Sequence, residues 1–325
     1  MRKYLLIILA VVSVLACNPR KKKKKTKSGP VNRFMTYHNT LFNSNEAMTA
    51  EMENRDKAHV DNFYDPYISV YTTEDELASA QPTNAANPNE DDDAGMPVGP
   101  RGMNNTGGGN GKLAQIGAAG GTKGATILQI TEAKAQKAIN KYSVLVNGVE
   151  KNKKIFDAYI LLAKSRMYQG KYLESLDALS YVFNTMDKDK RLPLAHIYKA
   201  ANYTKLREYY SADEVFKYLE EDPHIKLTKE HLQFLKVYQA DNFLKWGKKE
   251  LAAEVLEEAF NYNKNRKTKS RIAYLRGQIL AGLNKKEEAR ESFAAAYKYA
   301  NSYEFEVKSQ IEIAKTFDGK EDSYD

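Results

Sequence analysis

The sequence predicts an all-α fold in which helical hairpins stack into a solenoid. Residues 125–317 contain almost no proline and place apolar residues at the i, i+3, i+4 and i+7 spacing of amphipathic helices. Four stretches within this region recur with separations of 37, 40 and 37 residues. Each stretch has a small residue in its second helix and another small residue twelve positions earlier. A regular array of paired helices explains all three observations.

The recurring small residues predict how the helices pair. The second-helix residues are Ser175, Ala212, Ala252 and Ala289, and the first-helix residues are Ala163, Ala200, Ala240 and Gly277. Small side chains allow two antiparallel helices to approach closely, and a large residue four positions after each second-helix marker fills the gap toward the next repeat. This is the tetratricopeptide (TPR) pattern, here with repeats longer than the usual unit of about 34 residues. We predict four such repeats.

Two further helices flank the repeats. A helix at about 130–146 precedes the first repeat, and residues 303–317 resemble the first helix of a fifth. Residues 318–325 form a short tail, and no second helix is available to cover the last apolar face. We expect either a truncated chain or a partner at this end, and we favour truncation.

The amino terminus has the pattern of a lipoprotein signal peptide. In residues 1–16 two cations precede a short apolar run, and Ala16 stands directly before Cys17, the only cysteine. The run is shorter than a transmembrane helix requires. We expect Cys17 to be lipidated, which would hold the protein on a membrane without spanning it. Because no Asp follows Cys17, the outer membrane is favoured, facing the periplasm. A secretory leader with an incidental cysteine is the alternative.

Charge and composition divide the residues before the repeats. The formal net charge of +8 comes from nine cations before position 28, and the remaining 41 Lys and Arg nearly balance 42 Asp and Glu. Residues 17–31 are therefore interpreted as a basic tether that extends the anchor or contacts anionic head groups, not as a nucleic-acid site. Residues 32–77 predict a helical segment, with Asn43 and Glu46 as a capping pair and a helix to about His59. Residues 78–124, rich in Gly, Asn and Pro, predict a disordered linker.

The sequence offers little chemistry for catalysis. The five histidines are scattered without metal-ligand spacing, and a single cysteine excludes disulfides and Cys-ligated metals. The GGGNGK run at 107–112 lacks the first glycine and the strand of a phosphate loop. We predict no catalytic residue, no metal and no cofactor.

Binding of another protein is the remaining prediction. In a tetratricopeptide array the first helices line a concave groove, and the repeat register places there Lys164, Tyr168, Lys205, Asp241, Lys245, Tyr274 and Gln278. Lysine and tyrosine together suit an extended acidic peptide. The alternative is that these are ordinary solvated side chains.

Two blocks of the sequence resemble a known family. TYHNTLFNSNEAM at 36–48 and AINKYSVLVNGVEKNKKIFDAYILLAKSRMYQGKYLES at 138–175 resemble the tetratricopeptide lipoproteins of the type IX secretion and gliding-motility apparatus of Bacteroidetes, the SprE/PorW type. The resemblance covers about 32–68 and 130–317. Its marked positions in the second block are Gly148, Glu150, Asn152, Asp157, Ala158, Tyr159, Leu161, Lys164, Tyr168, Gly170 and Tyr172.

The resemblance implies a non-enzymatic scaffold. Members of the family sit at the periplasmic side of the outer membrane and link the secretion translocon to the ring and motor components. Partners would then be proteins, with no nucleic acid and no small-molecule substrate. A nutrient- or glycan-binding lipoprotein is the alternative. Proteins of that class usually bind sugars by stacking them on several exposed tryptophans, and Trp246 is the only tryptophan in this sequence. A hydrolase domain beyond residue 325 is a second alternative, on which these residues have no bearing.

Overall fold

The computed structural model describes residues 29, 30, 34, 41–72 and 126–317. The predicted signal peptide, Cys17, the linker at 78–124 and the tail at 318–325 lie outside the described residues, as does most of the tether. The elements in chain order are α1 (Asn43–Ala58), α2 (Ile127–Tyr142), β1 (Leu145–Val146), β2 (Val149–Glu150), α3 (Lys154–Met167), α4 (Tyr172–Thr185), α5 (Leu192–Lys205), α6 (Tyr209–Glu221), α7 (Lys229–Lys245), α8 (Lys249–Tyr262), α9 (Arg266–Gly282), α10 (Lys286–Tyr299) and α11 (Tyr303–Lys315).

The helices form a row of antiparallel hairpins. The pairs are α3 with α4, α5 with α6, α7 with α8 and α9 with α10, and each second helix also packs on the first helix of the next pair. Helix α2 packs on α3 at one end, and α11 packs on α10 at the other. This solenoid-like packing confirms the prediction of an all-α fold.

The small residues that defined the repeat lie at the helix contacts. All eight are buried: Ala163, Ser175, Ala200, Ala212, Ala240, Ala252, Gly277 and Ala289. The hydroxyl of Ser175 donates to the carbonyl oxygen of Ala163 (2.8 Å), which joins the two positions of the first hairpin directly. In the fourth hairpin, a Cβ added to Gly277 would lie 2.7 Å from the ring of Phe293. The helices therefore approach closely where the sequence has small residues.

A left-handed residue ends each hairpin turn at the same position, two residues before the second helix. Gly170 and Gly247 have φ of 74° and 83°, and Arg207 and Asn284 have φ of 64° and 61°. After each of these residues, the next backbone N–H returns to a carbonyl near the end of the first helix, as Lys171 does to Arg166 (2.9 Å). Glycine tolerates this conformation without strain, whereas Arg207 does not. The turn geometry repeats although the residue does not.

Two predicted helix boundaries are wrong. Asn43 does not cap α1, because the chain is already helical at residues 41 and 42 and the cap position is Phe42, without a side-chain cap bond. A capping side chain needs a non-helical backbone, which Asn43 does not have. Helix α2 runs from 127 to 142 instead of about 130 to 146, beginning at a capping box between Thr126 and Gln129.

The early end of α2 makes room for a tight β-hairpin. Leu145 pairs with Glu150 and Val146 with Val149 in antiparallel register. The turn residues Asn147 and Gly148 have φ of 51° and 76°. Asn-Gly is the strongest short signal for such a turn because both residues accept positive φ. The apolar spacing at 130–146 favours a helix, whereas the Asn-Gly pair directly after it favours a turn, and the turn forms.

The apolar core forms two clusters that meet at α7. Leu235 and Tyr238 belong to the cluster of the first hairpins, and Val237 and Phe243 belong to the cluster of the later ones. Residues from before the linker join both. Leu41 and Met48 are part of the first cluster, and Ile68 is part of the second. Residues 41–72 therefore pack against the array as part of its core.

We predict that Gly277→Ala destabilises the protein by about 1–3 kcal/mol, because the added methyl group would overlap the Phe293 ring. Urea unfolding followed by circular dichroism measures this. Gly282→Ala in the same helix is the matched control, since its new Cβ would meet only the Tyr67 hydroxyl at 3.8 Å. The control should be neutral or stabilising by up to about 1 kcal/mol. Equal effects of the two substitutions would contradict the close contact.

Candidate protein-binding groove

One face of the array carries a segment of the chain itself. We call residues 59–72 the docked segment, and the groove is the surface of α7, α9 and α11 that faces it. The docked segment follows α1 directly and has one turn, in which the N–H of Asp65 donates to the carbonyl oxygen of Asn62 (3.1 Å). Residues 66–71 lie along the groove without regular secondary structure. The groove therefore already holds a polypeptide.

A buried arginine provides the main polar contact. Arg271 on α9 is 3% exposed. Its Nη1 and Nη2 donate to the two carboxylate oxygens of Asp61 (2.6 Å each), and its Nε donates to the carbonyl oxygen of Ser69 (2.8 Å). The rigid guanidinium fork matches a carboxylate in this bidentate geometry. Arg271 thus fixes two points of the docked segment that are eight residues apart.

Aromatic rings make the second kind of contact. Phe63 packs edge-on against Tyr274 of α9 and Phe305 of α11, with ring centroids 5.5 Å and 5.4 Å apart. Further along the segment, the ring of Tyr71 lies 5.5 Å from that of Tyr238 on α7. Such edge-to-face pairs contribute about 0.5–1.5 kcal/mol beyond the area that they bury. The three helices of the groove are therefore each in contact with the docked segment.

The main chain of the docked segment is also recognised. The N–H of Ile68 donates to Oε1 of Gln278 (2.9 Å), and the Ile68 side chain is 5% exposed. A cavity of about 40 Å³ remains between residues 68–71 and the helices, lined also by Lys205 and Asp241. This volume can hold a water molecule but is too small for an organic ligand.

Helix α1 extends this contact toward the other end of the array. It contacts α2. At its last turn, Lys267 of α9 donates to the Asp56 carboxylate (2.7 Å), which also accepts from the Thr72 hydroxyl. Residues 41–72 thus connect α2, before the first hairpin, with α9 in the fourth.

The seven predicted groove residues divide between two environments. Tyr274 and Gln278 contact the docked segment, and Lys205 and Asp241 line the cavity beside it. Lys245 forms an ion pair with Asp241 (2.8 Å). Lys164 lies 5.7 Å from the centre of the Tyr198 ring, and Tyr168 is half-buried against the core of the first hairpins. Tyr274, which is 1% exposed, is not a solvated side chain.

Sequence reasoning missed the residues that matter most here. Arg271 lies one helical turn before Tyr274 and therefore on the same face, so the register could have identified it. Asp61 and Phe63 belong to an acidic and aromatic run, DNFYDPY, which follows the predicted helix and carries no recognised motif. No local pattern indicates that this run folds back onto a helix about 210 residues later.

The block of residues that carries the family resemblance has a structural explanation. Glu150 is 6% exposed and accepts from the backbone N–H groups of Val144 (2.9 Å) and Asn152 (2.7 Å). Asn152 is fully buried and donates to the carbonyl oxygen of Tyr142 (3.1 Å). These bonds satisfy the buried backbone between α2 and α3, which would otherwise lack partners. Tyr159 stacks on Tyr181 at 4.3 Å.

Three other kinds of site find no support among the described residues: a metal site, a membrane-spanning helix and a tryptophan face open to a sugar. Within 41–72 and 126–317, no group of three or more His, Cys, Asp or Glu is placed to hold a metal ion. The described helices include none with the length and apolarity needed to cross a bilayer. One face of Trp246 is covered, since Nζ of Lys248 lies 3.2 Å from the ring centre. That face is not open for stacking on a sugar.

Comparison with known proteins adds no further assignment. No family model matches the chain, and no curated protein matches it. The functional argument therefore rests on the groove and its contacts.

We predict that Arg271→Ala releases the docked segment. The change removes the partner of a half-buried carboxylate, for which the expected loss is about 3–5 kcal/mol of local opening free energy. Hydrogen exchange of backbone amides in residues 59–72, followed by mass spectrometry, measures this loss. Arg276→Ala on the same helix is the control, because Arg276 contacts Ala253, Ser292 and Glu257 instead. Unchanged protection in Arg271→Ala would contradict the assigned clamp.

Docking of the segment should also weaken in acid. Burial raises the pKa of Asp61, but the hydrogen bonds and the charge of Arg271 lower it by more than burial raises it. The pKa of Asp61 therefore lies below the ordinary value. The pKa of Asp56 is likewise lowered, by Lys267 and Thr72 against burial. A depressed carboxylate pKa stabilises the docked state above the unfolded pKa of about 3.9, and this contribution is lost as pH falls through the folded pKa.

Amide protection of residues 59–72, corrected for intrinsic exchange rates, should therefore be constant from pH 7 to 5 and fall below about pH 4. The double variant Asp56→Asn, Asp61→Asn should show low protection without this acid dependence. Full protection of the unsubstituted segment at pH 3 would contradict the ionic contribution.

Proposed function

We propose that this protein is a non-enzymatic scaffold whose tetratricopeptide array binds other proteins through the groove. The hairpin packing, with small residues at every first-to-second helix contact, supports the tetratricopeptide assignment. The register of the first helices supports the location of the binding surface, since Tyr274 and Gln278 lie on it. Arrays of this kind present extended surfaces for polypeptides.

The observation that carries the proposal is the polypeptide already in the groove. It is held through a carboxylate, an aromatic ring and a main-chain N–H, which are features that any protein segment can present. Groups that orient these features are what a peptide-binding surface requires.

The family resemblance supplies the proposed setting. In that setting the protein is an outer-membrane lipoprotein, anchored at Cys17 and facing the periplasm, that holds partner proteins of the type IX secretion and gliding-motility machinery. The predicted anchor at Cys17 and most of the predicted tether lie outside the described residues. The block from Gly148 to Tyr172 supports this setting only as a resemblance, because its buried members also have a structural role.

Site-specific photocrosslinking in living cells tests the proposal. A photoreactive residue at Lys205 or Lys245 would report contacts next to the groove, and one at Glu254 or Glu291 would report contacts on the exposed faces of α8 and α10. We expect crosslinks to translocon or motor-ring proteins from the first set, identified by mass spectrometry. The second set is the control and should give few.

Two outcomes would contradict the proposal. Equal crosslinking from both sets would remove the groove as the binding surface. Crosslinks from either set to an outer-membrane nutrient transporter, without secretion components, would contradict the proposed setting and favour the glycan-uptake alternative.

A further inference from the structure

We propose that the groove recognises an acidic and aromatic segment of a partner protein, and that residues 59–72 are a resident occupant which such a segment replaces. This inference rests on the proposed scaffold function and specifies the chemistry of its partner. The segment to be recognised carries a carboxylate two residues before an aromatic ring, as Asp61 and Phe63 do. We call the replacement segment the partner segment.

The groove requires an anion at one position. Arg271 is 3% exposed and lies under the docked segment, where its charge is balanced by Asp61. If the segment left and a neutral segment entered, a buried guanidinium would lose its partner, which is strongly unfavourable. A partner segment must therefore bring a carboxylate to the guanidinium fork. This requirement excludes segments that are merely apolar.

The groove also requires a ring close to that carboxylate. Tyr274 and Phe305 are 1% and 5% exposed beneath Phe63, so they form a buried edge-on contact for one aromatic side chain. Nζ of Lys308 lies over the Phe63 ring, 5.3 Å from its centre. A cation over the ring face favours an aromatic side chain over an aliphatic one of similar size.

Charge around the groove favours an acidic partner generally. Nζ of Lys249, at the start of α8, lies 5.9 Å from the centre of the Tyr67 ring, and Nζ of Lys308 on α11 lies beside Phe63. These cations and Arg271 face a segment that carries Asp61 and Asp65. Complementary charge of this kind mainly raises the association rate and the specificity.

The docked segment is held in a way that another chain could reproduce. The side chains of Arg271 and Gln278 form hydrogen bonds with the carboxylate of Asp61 and with main-chain groups of the segment. Much of it remains in contact with solvent, with Val60 79% and Tyr64 93% exposed. Among residues 59–72 only Ile68 and Thr72 are buried. Replacement uncovers the core contacts of Ile68 and of the partly buried Phe63, Tyr67, Val70 and Tyr71, so a partner segment must supply apolar side chains as well as the carboxylate.

Competition sets the expected affinity. A tethered occupant has an effective concentration of roughly millimolar, so a free segment of equal quality binds the unsubstituted chain only weakly. Weakening the tethered occupant should reveal the intrinsic affinity of the groove. A natural partner segment would overcome this competition by additional contacts elsewhere on the array.

A labelled peptide of residues 57–73 tests the inference by fluorescence anisotropy with the full chain in detergent. The variant Asp61→Ala, Phe63→Ala weakens the resident occupant without changing the groove. We expect this variant to bind the peptide at least about tenfold more tightly than the unsubstituted chain. Adding Arg271→Lys, which keeps the charge but loses the bidentate fork, should reduce that affinity about tenfold. A peptide with the same two positions changed to Asn and Ala should bind weakly to all chains.

Three results would overturn the inference. Equal, weak binding to the unsubstituted and weakened chains would show that residues 59–72 are a permanent part of the fold. Indifference to Arg271→Lys would remove the proposed anion site. Dimerisation of the weakened chain in sedimentation experiments would identify a second copy, not a partner, as the replacement.

The photocrosslinking experiment separates this inference from the scaffold proposal. A protein crosslinked from Lys205 or Lys245 should be attached through a segment that has a carboxylate two residues before an aromatic ring. That segment, made as a peptide, should compete with the labelled peptide. Secretion components crosslinked through segments without these features would leave the scaffold function supported and would refute the inference.

Discussion

The buried guanidinium of Arg271 is the constraint on which the arrangement of this protein depends. It joins Asp61 and the carbonyl of Ser69 to a helix in the fourth hairpin. Removing a guanidinium from water is costly unless its donors are satisfied, and residues 59–72 satisfy them. In the structure, residues 59–72 therefore supply the anion that this face of α9 requires. Without the segment, the guanidinium of Arg271 would lose its carboxylate partner, and the rings of Tyr274 and Phe305 would be uncovered.

Buried polar groups are likewise paired with hydrogen-bond partners at the start of the array. Glu150 and Asn152 take the backbone groups left by the end of α2 and the short β-hairpin. Glu132 on α2 accepts from Arg166 (2.8 Å) and Lys171 (3.0 Å), which ties α2 to the first hairpin. Residues 41–72 then connect this end with the fourth hairpin through Asp56 and Lys267. A solenoid normally holds only neighbouring repeats together, whereas here one segment joins distant ones.

Contacts that recur in every repeat can be predicted from the sequence, whereas contacts that occur once along the chain cannot. Ala163, Ser175 and Gly277 were identified because close helix contacts recur at a fixed period. The turn at Asn147 and Gly148 was identifiable from local turn chemistry but was overridden by helical spacing. The contact of Asp61 with Arg271 has no local signal, since its two halves are 210 residues apart. The groove positions Tyr274 and Gln278 could be predicted, but the segment that occupies them could not.

The most direct test of this account is zero-length carbodiimide crosslinking of the full chain, with the products identified by mass spectrometry. The ion pair of Asp241 with Lys245 (2.8 Å) serves as an internal positive control. The account predicts a crosslink between Asp56 and Lys267 (2.7 Å) within one chain, even when ¹⁴N- and ¹⁵N-labelled chains are mixed. Formation of the control crosslink without the Asp56 to Lys267 crosslink, or its formation only between differently labelled chains, would contradict the claim that residues 41–72 hold the groove of their own chain.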